Sequence, residues 1–149
     1  MNSNKLNILL ADDDADDRAF FKQALDDLSI PTNLTTVNDG DELMKYLTAN
    51  ESDTTNTDVI FLDINMPRKN GIECLSELKQ NEKLKHIPVV MFSTSNAWET
   101  INMLFKSGAH VYIHKPSDFS QLKQVIHHAL PIAAENKFST GKLKYILNA

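Results

Sequence analysis

The sequence predicts an α/β sandwich of three layers, with an open, parallel sheet of five strands covered by helices on both faces. Three observations predict it. Five short, largely apolar runs recur along the 149 residues. Longer stretches between and after them carry apolar residues every three or four positions. Gly, Pro, Asn and Asp punctuate the units. An apolar run without polar alternation marks a strand buried on both faces. Strands that alternate with helices join through right-handed crossovers into a parallel sheet.

The first strand is Ile8 to Ala11. Asp14 suits the cap of a helix starting near Ala15, because a carboxylate there accepts amide protons that the first turn leaves unpaired. Phe20, Phe21, Ala24, Leu25 and Leu28 give that helix one apolar face. Pro31 ends the unit, and Leu34 to Val37 is the second strand. Asn38, Asp39 and Gly40 break the chain before a second helix marked by Leu43, Met44 and Leu47. Residues 50–58 are polar, rich in Thr, Ser and Asn, and read as a loop. The third strand is Val59 to Leu62. Gly71 closes the loop after it, and Leu75 and Leu78 lie on the third helix. Pro88 opens the fourth strand, Val89 to Phe92. A fourth helix covers Ala97 to Lys106 and stops at Gly108, a residue suited to the left-handed end of a helix. Val111 to Ile113 is the fifth strand. A last helix starts at Asp118 or Ser120 and runs through Leu122, Val125, Ile126 and Ala129.

This length suits one domain with an ordinary core. Twenty acidic residues against 15 basic ones leave a formal charge of −5, which argues against a nucleic-acid footprint, since that needs a basic face. Cys74 is the single cysteine, so no intrachain disulfide forms, and its place in a helical pattern marks a small core side chain. Met1 to Asn7 is polar and lacks the apolar stretch of a signal peptide. No apolar run approaches the roughly 20 residues of a membrane span. The expectation is a cytoplasmic protein that engages neither membrane nor nucleic acid.

In open parallel sheets, ligands bind outside the carboxyl ends of the strands. Asp12, Asp13 and Asp14 follow the first strand, Asp63 the third, Ser93 to Ser95 the fourth, and His114, Lys115 and Pro116 the fifth. Each group taken singly is ordinary turn chemistry or a solvated surface. Together they would converge on one crevice. Clustered carboxylates raise one another's pKa values, and a hard divalent cation relieves that repulsion. Mg²⁺ takes oxygen ligands and typically uses one or two carboxylates plus phosphate oxygens. A carboxylate beside it can attack phosphorus to give an aspartyl-phosphate. A lysine and a hydroxyl can then hold the phosphoryl oxygens.

The stretches ILLADDD (8–14), VIFLDINMPRKNG (59–71), PVVMFST (88–94) and YIHKP (112–116) resemble the receiver domain of two-component response regulators. The resemblance spans Lys5 to Ala134. It implies a flavodoxin-like (βα)5 fold with strand order 2-1-3-4-5, a receiver domain over residues 1–134, and a tail over 135–149 with no output domain. Carried over residue by residue, it implies Asp63 as phosphoryl acceptor. Asp13 would bind Mg²⁺ directly, Asp12 through water, and Asn65 through its backbone carbonyl. Ser93 matches the switch hydroxyl, Tyr112 the switch aromatic, and Lys115 the lysine that contacts the phosphoryl group. Pro116 follows Lys115 through what in the family is a cis peptide. Three consecutive aspartates leave the acidic register open by one position, and Asp14 as a cap favours Asp12 and Asp13. Thr94 stands where a small Ala is frequent, which bears on access to the phosphoryl group and its lifetime.

The implied partners are a sensor histidine kinase or histidine phosphotransfer protein as donor and a downstream protein target. The implied output is a change in the surface built from the fourth helix, fifth strand and fifth helix, where Trp98 also falls. Such a protein is a phosphoryl acceptor with weak autodephosphorylation rather than a turnover enzyme. The tail residues Leu143, Tyr145, Ile146 and Leu147 are candidates for docking on the body or for a homodimer contact, with a loosely ordered tail the simpler expectation. Three other readings stay open. A Mg²⁺-dependent phosphohydrolase with an aspartate nucleophile usually carries a second aspartate where this chain has Asn65. An interaction module independent of phosphorylation would lose the acceptor or the acidic pair. A flavodoxin-like cofactor binder would show a Gly-rich phosphate loop.

Overall fold

The structure is a computed structural model and describes residues 5–49, 57–94, 98–109, 111–136 and 145–147. Strands β1 (Leu6–Ala11), β2 (Thr32–Val37), β3 (Val59–Leu62), β4 (Val89–Ser93) and β5 (Val111–His114) alternate with helices α1 (Ala15–Asp27), α2 (Gly40–Ala49), α3 (Gly71–Gln80), α4 (Trp98–Lys106) and α5 (Phe119–Asn136). These strands are parallel and lie in the order β2-β1-β3-β4-β5, as the sequence and the resemblance led one to expect.

The apolar strands are sorted by their two-residue period. Leu9, Ala11, Ile60, Leu62, Val89, Met91 and Tyr112 face one core, with Leu43, Leu47, Leu75, Leu78 and Leu104 from α2, α3 and α4. Ile8, Leu10, Val59, Phe61, Val90, Phe92, Val111 and Ile113 face the other, with Phe21, Ala24, Leu25, Leu122, Val125 and Ile126 from α1 and α5. Both faces are covered, so neither can be polar. Each such aliphatic or Phe side chain contributes about 1.5–3 kcal/mol by leaving water.

The edge strand β2 is different. Only Val37 is buried there, which is why Thr32, Asn33, Thr35 and Thr36 are tolerated and why the strand starts earlier than its apolar residues suggest. Asp14 caps α1, accepting from the amides of Asp16 and Asp17. Asn70 and Glu73 form a capping box on α3. Asp118 accepts from the Gln121 amide at 3.0 Å, which settles the start of α5. Gly108 takes φ +113 after α4, where any side chain would be strained. Cys74 is buried, and burial pushes its thiol up to about 12.

Two features extend the expected fold. Among the described residues the sheet has six strands: β6 (Tyr145–Leu147) pairs in parallel with β5, in register Val111↔Tyr145 to Ile113↔Leu147. The part of the tail thought to be loosely ordered therefore satisfies the outer edge of the sheet with backbone hydrogen bonds. Helix α5 also continues past Ala134 to Asn136, with Pro131 inside it. Residues 50–56, Ser95, Ala97, Phe138 and Leu143 lie outside the described residues. Among the described residues no helix is long and apolar enough to cross a membrane.

Candidate functional site

Strand register builds the site. Ala11 and Leu62 are paired as the last residues of β1 and β3, so Asp12 and Asp63 leave the sheet side by side. The backbone holds them there: the Asp63 amide donates to the Ala11 carbonyl at 3.0 Å, and the Asp12 amide to the Val37 carbonyl at 3.2 Å. On the other side, Ser93 pairs with His114, and the Lys115 amide donates to the Ser93 carbonyl at 2.8 Å. Gly71 shapes the loop after Asp63. Its amide donates to the Ile64 carbonyl, and a Cβ there would meet the Asp63 carbonyl oxygen at 2.2 Å, so only glycine fits this close approach.

Asp12, Asp13 and Asp63 each bring a carboxylate oxygen into one group, all within 4.8 Å of one another. Asp12 and Asp63 are buried, and Asp13 is exposed. The Lys115 ammonium lies 2.9 Å from Asp12 Oδ2 and 3.5 Å from Asp63 Oδ2. It also sits 5.4 Å from the centroid of the Phe92 ring, whose face favours a cation. The acidic neighbours hold the Lys115 pKa above the usual lysine range, although burial opposes them. Asp63 moves the other way. Burial lifts its carboxyl from 3.8 to about 6; Lys115 opposes this, and Asp12 and Asp13 add to it. Three carboxylates with one ammonium leave net negative charge in a crevice of low dielectric. Oxygen donors converging there fit a hard dication such as Mg²⁺, with Asp12, Asp13 and Asp63 as the side chains that would hold it.

Asn65 follows two residues after Asp63 in the same loop, with its side chain exposed. Ser93 is fully buried at the end of β4. Tyr112 is 1% exposed and packs in the core with Leu104 and Phe105. Burial raises its phenol pKa and Ser93 opposes the rise, yet the Tyr112 hydroxyl has no well-formed hydrogen bond. Thr94 is exposed, and its carbonyl pairs with His114 Nε2 at 3.0 Å. The Lys115–Pro116 peptide is trans, where the resemblance implied cis. Asp14 is committed to the α1 amides, so its carboxylate serves as the cap.

Two residues were missed by the sequence reading. Asp17 Oδ2 lies 2.9 Å from the Lys115 ammonium, and the Arg18 guanidinium donates to the Asp12 backbone carbonyl at 2.7 Å. Both stand in an acidic first turn of α1 that looks like ordinary helix chemistry. Their spacing of five and six residues from Asp12 was the signal available.

The family pattern described as the response regulator receiver domain matches residues 8–127. The chain belongs to that family. This receiver domain is 30% identical over 121 residues to the response regulator Rcp1 of Synechocystis sp. (strain ATCC 27184 / PCC 6803 / Kazusa), covering 80% of this chain and 82% of that protein. Its fold is similar to the phosphorylated cyanobacterial phytochrome response regulator RcpA, with a TM-score of 0.74 at 36% identity over 84% of this chain and 91% of that one. It is also similar to the Mn²⁺-bound form of Rcp1, with a TM-score of 0.72 at 27% identity over 91% of this chain and 97% of that one.

Proposed function

We propose that this receiver domain is a cytoplasmic response regulator that accepts a phosphoryl group on Asp63 from a phosphohistidine of a sensor kinase or phosphotransfer protein. One observation carries the reading: Asp63 is buried beside Asp12 and Asp13, with the Lys115 ammonium 3.5 Å away. The relatives solved in phosphorylated and Mn²⁺-bound forms support it.

An Asp63 carboxylate oxygen forms the new O–P bond as the P–N bond to the donor imidazole breaks. The nitrogen leaves with the electron pair and takes up a proton. Asp13, Asp63 and the Asn65 backbone carbonyl, with Asp12 acting through water, would hold a Mg²⁺ ion, which would supply neutralisation of charge on the phosphoryl oxygens. Lys115 places its ammonium on one phosphoryl oxygen, and the Ser93 hydroxyl donates to another. These bonds bias the loop after β4, Tyr112, and with them the α4–β5–α5 surface that meets a protein target. Return to the resting state is hydrolysis of the acyl phosphate at Asp63, slow in the absence of a dedicated phosphatase. The C-terminal residues that supply β6 border this surface and are also where a homodimer contact would form.

The test is intact-mass measurement after incubation with Mg²⁺ and acetyl phosphate. The wild type gains one phosphoryl group and Asp63→Asn gains none. Equal labelling of both would move the acceptor elsewhere.

A further inference from the structure

We propose that Asp17 is a positioning residue of the phosphoryl site, holding the Lys115 ammonium away from Asp63 and thereby weakening the grip on a phosphoryl group. The inference rests on Asp63 being the acceptor and deepens that reading.

Lysine has three N–H donors. At Lys115 the two short contacts, both 2.9 Å, go to Asp12 Oδ2 and Asp17 Oδ2. Asp63 receives only a longer one at 3.5 Å. Asp63 is thus the least well served of three carboxylates around a cation whose side chain is 11% exposed. The placement of Asp17 is built rather than incidental. Asp14 takes the Asp17 amide at 3.0 Å, and Arg18 ties the next residue of the helix to the Asp12 carbonyl. The first turn of α1 is clamped to the end of β1 with Asp17 turned onto Lys115. An ordinary surface pair on the same helix, Lys22 with Asp26, has both side chains 65% exposed.

A phosphoryl group on Asp63 brings new anionic oxygens, and the ammonium, held at 2.9 Å by Asp12 and Asp17, must loosen one of those contacts to close on one. Asp12 is a poor one to release, since its side chain is 1% exposed and an unpaired buried carboxylate is heavily penalised. Asp17 is 44% exposed and regains water when released. Its bond to Lys115 is therefore the one that opposes the phosphorylated arrangement. Removing it leaves Lys115 free to close on the phosphoryl group. A half-exposed pair of this kind is worth a change of roughly two- to fivefold in affinity.

The probe is beryllofluoride, a phosphoryl mimic that binds a carboxylate, titrated into the full chain at fixed Mg²⁺ with bound fluorine followed by ¹⁹F NMR. Asp17→Asn binds the probe about two- to fivefold more tightly than wild type. Asp16→Asn removes the same charge from the same turn without touching Lys115 and leaves the affinity at the wild-type level. In a Lys115→Ala background, Asp17→Asn brings no gain, a dependence that a merely structural role or general charge repulsion would not show. An unchanged or weaker affinity in Asp17→Asn, an equal gain in Asp16→Asn, or a gain that persists without Lys115 overturns the proposal while leaving Asp63 as acceptor. A wild type with no bound-fluorine signal overturns the acceptor reading and this one together.

Discussion

Replacing Asp63 with Asn removes a charge that burial disfavours. Its carboxyl titrates near 6 rather than 3.8, chiefly because burial disfavours the ionised form. Between those two pH values the folded chain keeps a proton that the unfolded chain has released. Stability therefore falls as pH rises through that window and is flat above it. Once ionised, Asp63 destabilises the metal-free fold by about 3 kcal/mol. Asn has nearly the same shape and no charge, and Lys115 keeps Asp12 and Asp17 as partners. Its amide still loses some hydration, so a net gain of about 1–3 kcal/mol is expected above about pH 7. For a chain of this size that raises Tm by roughly 3–10 °C. The assay is thermal unfolding in EDTA, at about pH 7.5 and about pH 4, where the unfolded carboxyl is half protonated. The gain should be large at the higher pH and nearly absent at the lower one. Mg²⁺ should then stabilise the wild type more than the variant. A variant less stable than wild type at neutral pH, or a gain that ignores pH, would refute the electrostatic reasoning.

Gly71→Ala forces a Cβ against the Asp63 carbonyl and the Ile64 Cα, and is expected to destabilise the fold by about 1–3 kcal/mol and to slow acceptance of a phosphoryl group. Urea midpoints and intact-mass time courses check both. Asp14→Ala removes the α1 cap and lowers stability by about 0.5–2 kcal/mol while leaving Mg²⁺ affinity unchanged. Asp13→Asn does the reverse, weakening Mg²⁺ in a calorimetric titration with little effect on stability. An exchanged pattern would shift the acidic register by one residue. Truncation before Tyr145 uncovers the outer edge of β5, and hydrogen exchange at the Tyr112 amide, which faces β6, should rise about tenfold or more, while the Val111 and Ile113 amides, which face β4, keep their protection. Unchanged protection would mean that β6 contributes nothing to the edge in solution.

What could be read from the sequence was whatever burial writes into it. Strands β1, β3, β4 and β5 must be apolar on both faces, so their runs stand out, and the residues just past them identify the crevice. Strand β2 was shortened because an edge strand with one buried residue has little apolar pattern to show. β6 was missed because three residues give no period, and what draws them to the sheet is the unpaired edge of a strand over 30 residues earlier. Asp17 was hidden for a related reason. It resembles any acidic residue in a first helical turn, and its significance lies in Lys115, 98 positions away in sequence. The acids that terminate strands were legible, whereas the acid that meets the site from a helix surface was not.

Tyr112 bears on how such a domain could switch. A mechanism in which this ring swings inward only after phosphorylation needs a resting state with the ring outside. Here it is 1% exposed and packed in the core with Leu104 and Phe105. The inward packing is thus one arrangement that these residues allow, and under the proposed function phosphorylation would bias an equilibrium that includes it. The bias would act through polar atoms rather than through space filling. The Tyr112 hydroxyl is buried without a well-formed hydrogen bond, and its polar neighbour Ser93 is the group expected to turn toward a phosphoryl oxygen. Because Lys115 is joined by its own amide to the Ser93 carbonyl, the hydroxyl and the ammonium are carried by one hydrogen-bonded pair of strand ends. A charge placed on Asp63 therefore pulls on β4 and β5 together.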